Sequence, residues 1–302
     1  MRRILLLLLP IALFLSFCGS KENDPSPIPE PPIVVVPTAK KYPVSFSVSS
    51  LDHTFKKIAA TEAPATSDKI DVLYYILYNP DGTLNHTIIQ KNTDTNFGSI
   101  KDSLVAGDYT VAIVGYKGTL KVEPLIASTG RIEKDFYKPI VDTFIKKFPF
   151  TVGGSSNQSV VLERVIAQAQ FVIKDAIPAN VAKLEIKVND ELLLYAFEGE
   201  VGPAARQPLI VTVPIGESDR GKTGFTYSLF ILNTQAKVDI TIRAFSSSND
   251  LIATQSIPQV QFYKNTTTVL SGDLFDAGKT FASPFTVTVN YTWNPIKNEI
   301  PF

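Results

Sequence analysis

The segment VDITIRA, residues 238–244, decides the fold class of this chain. Its valine, isoleucines and alanine alternate strictly with aspartate, threonine and arginine. Successive side chains of a strand point to opposite faces, so this period of two is typical of a strand with one buried face. We therefore predict a half-buried β-strand over these residues.

Outward from that segment, short alternating or apolar runs recur along most of the chain. Glycine-, proline-, asparagine- and serine-rich turns separate them, as in Asn79-Pro80-Asp81-Gly82. So many short runs, without a convincing long amphipathic helix, indicate an all-β protein built from β-sandwiches. The stretch 119–147 stays open, with a short helix or a long loop over 136–147. The other predicted strands cover residues 42–49, 70–78, 83–90, 104–114, 159–162, 166–173, 183–188, 209–213, 225–232, 259–264, 267–270 and 285–293.

Composition divides these strands between two domains of similar size. The run Gly153-Gly154-Ser155-Ser156-Asn157 has the composition of a linker. It predicts an N-terminal β-sandwich over residues 42–154 and a C-terminal β-sandwich over residues 155–302. With 44% hydrophobic residues and a single cysteine, the chain is expected to depend on packed cores and not on an intramolecular disulfide.

The N-terminal residues have the pattern of an export signal. Met1-Arg2-Arg3 is cationic, and residues 4–17 form an apolar run that is too short to span a bilayer but suits a secretory signal. The pattern resembles a bacterial lipoprotein signal, which implies that residues 1–17 are removed and that Cys18 is lipidated. Phe17 stands where a small residue is usual, so an ordinary secreted protein remains the alternative.

Residues 18–41 are predicted to form a proline-rich tether. Prolines favour extended conformations, and at ~3.1 Å per residue the tether reaches roughly 70 Å. Lys21, Glu22 and Asp24 resemble the surface-export signals of lipoproteins in the Bacteroidota, although a solvated linker explains them equally well. We predict that the protein is located at the outer membrane, where the N-terminal lipid anchors it and where it faces the cell exterior.

The charge balance argues against one class of partner. The chain has 29 basic and 29 acidic residues, and removing residues 1–17 leaves 27 against 29. A nearly neutral protein has no electrostatic field that attracts a polyanion. We therefore predict no nucleic-acid partner.

Residues that could catalyse a reaction or bind a metal are few. His53 and His86 are the only histidines, and neither has a second ligand at metal-site spacing. The densest acidic cluster, Asn189-Asp190-Glu191 with Glu198 and Glu200, has the composition of a solvated hairpin tip; a glycosidase-type carboxylate pair is the alternative. We predict no enzyme activity, no catalytic residue, no cofactor and no metal site.

Several segments, together with the lipoprotein signal and the tether, carry a family likeness. They are the first strand at 42–48, the strand and turn at 73–82, the glycine-tyrosine strand at 104–114, Leu162-Glu163-Arg164 leading into 167–173, and the late segment 265–275. As a set they resemble the fimbrial anchor and fimbrillin-like surface lipoproteins of the Bacteroidota. The resemblance covers most of residues 42–293.

This resemblance implies two tandem transthyretin-like β-sandwich domains and a structural or adhesive role at the cell surface. It also implies fimbrial subunits or other surface proteins as partners. Stalk subunits of the family are matured by arginine-specific cleavage near the first strand. This chain has no arginine between Arg3 and Arg131, which favours an anchor or a stand-alone surface protein.

Two other functions are weighed against this one. A glycan-binding outer-membrane lipoprotein requires solvent-facing aromatic side chains grouped on one sheet or loop rim. A hydrolase requires two carboxylates about 5–10 Å apart in a cleft. The strand 285–293 alternates apolar and polar residues, and we predict that it closes the second core, with pairing to another chain's sheet as the alternative.

Overall fold

The computed structural model describes residues 39–50, 70–198, 206–275 and 285–290. Within these ranges the chain forms strands and no helix. The strands are β1 (Lys41–Ser50), β2 (Val72–Tyr78), β3 (Leu84–Lys91), β4 (Ser99–Val105), β5 (Gly107–Tyr116), β6 (Lys121–Glu123), β7 (Arg131–Glu133), β8 (Thr143–Val152), β9 (Ser156–Arg164), β10 (Ala167–Ile173), β11 (Lys183–Leu192), β12 (Leu194–Ala196), β13 (Arg206–Pro214), β14 (Phe225–Ile231), β15 (Val238–Phe245), β16 (Leu251–Val260), β17 (Thr267–Gly272) and β18 (Thr286–Asn290).

The first sandwich is one seven-stranded sheet that folds over itself, in the order β3-β2-β5-β8-β9-β1-β4. β8 and β9 pair only through Phe144 with Arg164 and through Ile145 with Glu163. Beyond these pairs, β8 continues along β5, whereas β9 runs parallel to β1. The separation of β8 from β9 therefore divides the sheet into two halves that enclose a common core.

Aromatic side chains fill the space between these halves. The ring centroid of Phe46 on β1 lies 5.4 Å from that of Tyr75 on β2 and 5.1 Å from that of Phe150 on β8. All three side chains are buried. Because large aromatic rings remove much apolar surface from water, this cluster stabilises the contact between the halves.

The second sandwich consists of two four-stranded sheets, β14-β10-β17-β18 and β13-β11-β15-β16. The segment that decided the fold class lies in β15, between β11 and β16. Its apolar residues Val238, Ile240, Ile242 and Ala244 are all buried in the second core. The prediction of a half-buried strand at 238–244 and the all-β sandwich class are therefore confirmed.

A third hydrophobic cluster joins the two sandwiches. It combines Ile76 and Tyr78 of the first sandwich with Ile166, Tyr195 and Leu232 of the second. A small sheet, β12-β7-β6, crosses the same boundary, since β12 follows β11 in the second sandwich whereas β6 and β7 follow β5 in the first. Both sandwiches belong to a single compact unit that begins at Lys40.

A buried polar contact spans the same junction. Arg164, at the end of β9, is 4% exposed and donates two hydrogen bonds to Asp142, at 2.7 and 3.0 Å. Its third contact, at 2.8 Å, goes to the Asn265 side chain between β16 and β17. The guanidinium carbon lies 4.6 Å from the ring centroid of Phe144. A two-pronged arginine–carboxylate pair of this kind fixes orientation as well as adding energy.

The pairing of β9 bears on the domain limits. The predicted second domain, 155–302, begins before this strand, but β9 pairs with β1 and contributes Val160 and Leu162 to the first core. Residues 153–155 connect β8 to β9 within one sandwich. We therefore propose that the boundary lies after Arg164 and not at 154–155.

The stretch that the sequence left open contains three strands. Between residues 119 and 147 the chain forms β6, β7 and the beginning of β8, so the short helix considered for 136–147 is wrong. Asn79-Pro80-Asp81-Gly82 forms the predicted turn: the Gly82 N–H donates to the Asn79 carbonyl, and Gly82 has φ of 82°. A positive φ is readily adopted by glycine because it lacks a Cβ.

The predicted C-terminal strand is present as β18, which pairs antiparallel with β17 at the edge of its sheet. Phe285, just before it, is buried in the second core, whereas Val287 is 42% exposed. The pairing is intramolecular, as predicted, but the burial differs: Val289 is half-buried, the other residues of β18 are exposed, and the contact with the core comes from Phe285. Of the apolar side chains expected on one face, Tyr291 and Trp293 lie outside the described residues.

Candidate interaction site

His86, one of the two histidines considered as a catalytic residue or metal ligand, makes a structural contact. In the described part of the chain, no three histidine, cysteine, aspartate or glutamate side chains are grouped so that they could hold a metal ion. His86 on β3 pairs with Asp102 on β4 at 2.9 Å, and the buried Tyr75 hydroxyl donates to the same carboxylate at 3.1 Å. This contact links the two terminal strands of the folded sheet.

The acidic cluster at 189–191 is not a solvated hairpin tip. Glu191 lies inside β11 and is only 1% exposed. The pairing with β13 shifts between Val188 and Glu191, where Asp190 adopts φ of 57°. Regular alternation after Val188 places residue 190 in the core, but this bulge turns Asp190 outward and Glu191 inward. The interpretation of Glu191 as a solvated residue is therefore wrong.

Glu191 is held at the junction by backbone contacts. Its carboxyl accepts the Leu232 N–H at 2.7 Å and a longer contact from the Asn233 N–H at 3.5 Å. Burial raises the pKa of Glu191 to about 7, although these N–H groups and the nearby Lys134 oppose the shift. A carboxyl in this position stays protonated over a wider pH range than an exposed glutamate does.

Lys134, which follows β7, is a buried cation beside Glu191. The residue is 9% exposed, and burial lowers the pKa of its ammonium group. The ammonium donates to the backbone carbonyls of Asp135 and Lys138, both at 3.3 Å, while the Lys134 N–H donates to the Leu193 carbonyl in the second sandwich at 2.9 Å. Lys134 thus fastens the following loop to the junction.

We call residues 135–138 the aromatic loop. Tyr137 is 80% exposed and Phe136 is 41% exposed, with ring centroids 4.8 Å apart and planes at 62°. The Tyr137 N–H donates to the Asp135 carboxylate at 3.0 Å, and the same carboxylate pairs with Lys138 at 3.5 Å. The loop is therefore held by its own polar groups while two aromatic rings face solvent.

A second surface feature is a depression of about 490 Å³ beside the 79–82 turn. Its walls are the 79–82 turn, residues 126–128, residues 147–149 and Glu198. The Lys147 ammonium contacts the Ala127 carbonyl and the Glu198 carboxylate. Asp81, the other acid in the wall, accepts both the N–H and the hydroxyl of Thr83, which lowers its pKa. Both carboxylates are thus occupied by contacts within the protein.

Several predicted site residues lie outside the described residues. They include the lipidation site Cys18, most of the tether, His53, Glu200 and Trp293. Their roles stay predictions. No helix in the part of the chain that the structure describes has the length and apolar character needed to cross a membrane.

The aromatic loop was missed by sequence reasoning. Phe136 and Tyr137 are adjacent, and adjacent side chains of a strand point to opposite faces. A period of two therefore cannot place both rings on one face, either buried or exposed. The flanking polar residues and Pro139 were the available signal of a loop. Burial of Lys134 had no signal, because it depends on contacts with the second sandwich.

Comparisons with known proteins concern the fold. No protein-family model matches the sequence, and no curated protein is a significant match. A candidate adhesin from Bacteroides thetaiotaomicron has a solved structure that matches with a TM-score of 0.54 over 85% of this chain and 98% of its own, at 13% identity. The chain shares the fold of this adhesin.

Two further solved structures have the same fold. The fimbrial anchor protein Mfa2 from Porphyromonas gingivalis matches with a TM-score of 0.51 over 84% of this chain and 98% of its own, at 12% identity. A candidate polysaccharide-binding protein from Bacteroides thetaiotaomicron matches with a TM-score of 0.53 over 86% and 99%, at 8% identity. At such low identities, the likeness concerns the fold and not the residues of a site.

Proposed function

We propose that this protein is a non-enzymatic surface protein with a structural or adhesive role, comparable to a fimbrial anchor or an adhesin. The observation that carries the proposal is the shared fold. It extends over both sandwiches, and the match includes nearly the whole chain of the candidate adhesin and of the fimbrial anchor. Because a fold alone does not determine function, the geometry of the junction is the second support.

The junction suits a protein that transmits mechanical load. The two sandwiches share a hydrophobic cluster, a small sheet and the buried Arg164 contact. A load applied to one sandwich is thus borne by packed and hydrogen-bonded contacts and not by a single linker. The acids beside the 490 Å³ depression, Asp81 and Glu198, make structural contacts, which fits a non-catalytic role.

The proposed attachment is a lipid on Cys18, which anchors the mature chain to the outer membrane through the tether at 18–41. Two or three acyl chains, at ~0.8 kcal/mol per buried methylene, hold a protein stably where one chain does not. The proposed orientation places both sandwiches outside the cell, where fimbrial subunits or other surface proteins are accessible as partners.

Within this class of proteins, we favour an anchor or a stand-alone adhesin over a polymerising stalk subunit. β1 pairs with β4 on one side and with β9 on the other, and its Phe46 is fully buried. Removal of this strand by proteolysis would expose the first core. The absence of arginine between Arg3 and Arg131 removes the cleavage site that the stalk pathway uses.

Crosslinking pull-down from intact cells tests the proposal, with Cys18→Ser as the matched variant. We expect the wild-type protein to fractionate with membranes and to recover other surface proteins, fimbrial subunits among them. The variant is expected to move into a soluble exported fraction and to lose those partners. Membrane fractionation that is unchanged in the variant contradicts the lipid anchor, and recovery of no surface protein contradicts the adhesive role.

A further inference from the structure

Tyr137 and Phe136 of the aromatic loop belong to none of the three hydrophobic clusters. Neither ring belongs to a core, and Tyr137 exposes four fifths of its surface. We propose that the aromatic loop binds a saccharide, with the ring of Tyr137 stacked against one face of a pyranose. This inference rests on the proposed surface role and names a ligand class for it.

The loop is built to hold the rings in place. The Lys134 ammonium lies beneath it and donates to carbonyls at both ends, those of Asp135 and Lys138. The Asp135 carboxylate accepts the Tyr137 N–H and pairs with Lys138. Because the backbone is already ordered, a ligand that binds here does not have to pay the entropy of ordering a flexible loop.

The chemistry of the rings fits a sugar. An aromatic face carries partial negative charge, whereas the C–H groups on one face of a pyranose carry partial positive charge. Phe136 packs against Tyr137 in an edge arrangement and supports that ring from one side. The Asp135 carboxylate and the Lys138 ammonium are both well exposed and can contact ring hydroxyls, which fixes the orientation of the ligand.

The size of the patch argues against a protein as the occupant. Two partly exposed rings offer on the order of 250 Å² of aromatic surface. A stable protein–protein interface buries about 800 Å² on each partner. The residues on either side of the rings in the chain are the charged Asp135 and Lys138, so within the loop the exposed apolar surface is confined to the two rings. A single sugar ring matches it better.

Binding of the purified full-length chain in detergent to a microarray of neutral and acidic oligosaccharides tests the inference. We expect wild-type protein to bind a subset of the printed glycans. Tyr137→Ala should lower that binding by up to about tenfold, because it removes the ring on which the sugar stacks. Tyr137→Phe, which keeps the ring, should retain it. Tyr263→Ala, which removes another exposed tyrosine from a different loop, should leave binding unchanged.

Lys134→Met tests the positioning role of the buried lysine separately. We expect weaker glycan binding together with faster chymotryptic cleavage after Phe136 or Tyr137, because the loop loses two hydrogen bonds. Cleavage at the wild-type rate contradicts this role.

Three results overturn the saccharide site: no glycan is bound, Tyr137→Ala binds as wild type does, or Tyr137→Ala instead converts a dimer to a monomer in sedimentation velocity. The last result assigns the loop to self-association. The assay uses purified protein and no cellular partner, so its failure is distinguishable from failure of the pull-down.

Discussion

At the scale of single residues, Glu191 shows where sequence patterning fails. A strand period of two predicts the inward side chains of β11 correctly as far as Val188. The bulge then reverses which side chains of β11 point inward, so that Glu191 takes a buried position that an apolar residue usually fills. The bulge depends on a positive φ at Asp190. A non-glycine residue rarely adopts a positive φ, and the sequence gives no indication of it here.

The buried Glu191 predicts a pH dependence of stability. The folded protein retains this proton to about pH 7, whereas an unperturbed glutamate releases it near 4.5. The folded state therefore binds more protons between these values, and the free energy of unfolding falls as pH rises through this window, by at most about 3 kcal/mol. Below pH 4.5 both states are protonated, and this contribution to stability is fully present.

Glu191→Gln should remove this dependence, because the amide oxygen can still accept the Leu232 N–H but the side chain does not titrate. Urea unfolding at pH 5 and pH 8 measures it: relative to wild type, the variant should gain stability at the higher pH. Glu163→Gln, at an exposed acid on β9, serves as the control and should show no such gain. Equal pH slopes in wild type and Glu191→Gln contradict the assignment.

At the scale of strands, local patterns predicted many elements but missed the short β6 and β7 and most of the ten-residue β8 and β16. The strand predicted at 259–264 is wrong beyond residue 260, where β16 ends. β1 and β15 follow the period of two over enough residues to be recognised, and β2 is a nearly continuous apolar run. β6 and β7 have three residues each, which is too few for a period to appear. The position of β9 depends on its pairing with β1, more than a hundred residues earlier, and no local pattern contains that information.

The edge strand β18 gives a prediction about packing between elements. Gly272, at the end of β17, faces the ring of Phe285, and a Cβ added to this glycine lies 2.6 Å from a ring carbon. Gly272→Ala should therefore displace Phe285 and destabilise the second sandwich by about 1–3 kcal/mol. Chemical denaturation measures this loss.

A double-mutant cycle with Phe285→Ala identifies the cause. If the clash is with this ring, Gly272→Ala should cost much less in the Phe285→Ala background than in wild type. Gly153→Ala is the matched control, because a Cβ added there meets no atom within 4 Å. An equal cost of Gly272→Ala in both backgrounds shows that its effect does not depend on Phe285.

At the scale of the whole molecule, two predicted sandwiches were found, but their connection was not foreseeable from the sequence. The glycine- and serine-rich run at 153–157 has linker composition, yet it lies within one sandwich, where it connects β8 to β9 and forms the first two residues of β9. The contacts that join the sandwiches come from residues far apart in the chain: Arg164 and Asn265 are separated by 101 positions. Composition reports local chain flexibility and cannot report such a contact.

The joined sandwiches predict cooperative unfolding. Because the third hydrophobic cluster and the Arg164 contact connect the two cores, we expect the wild-type protein to unfold in a single calorimetric transition whose van't Hoff and calorimetric enthalpies agree.

Arg164→Met should leave Asp142 and Asn265 without the guanidinium, at a cost of about 3–5 kcal/mol, and should separate the transition into two. Lys146→Met, which removes the nearby exposed pair with Glu163, should cost less than about 1 kcal/mol and keep one transition. Two transitions in the wild-type protein, or a single unshifted transition in Arg164→Met, contradict the view that this arginine couples the sandwiches.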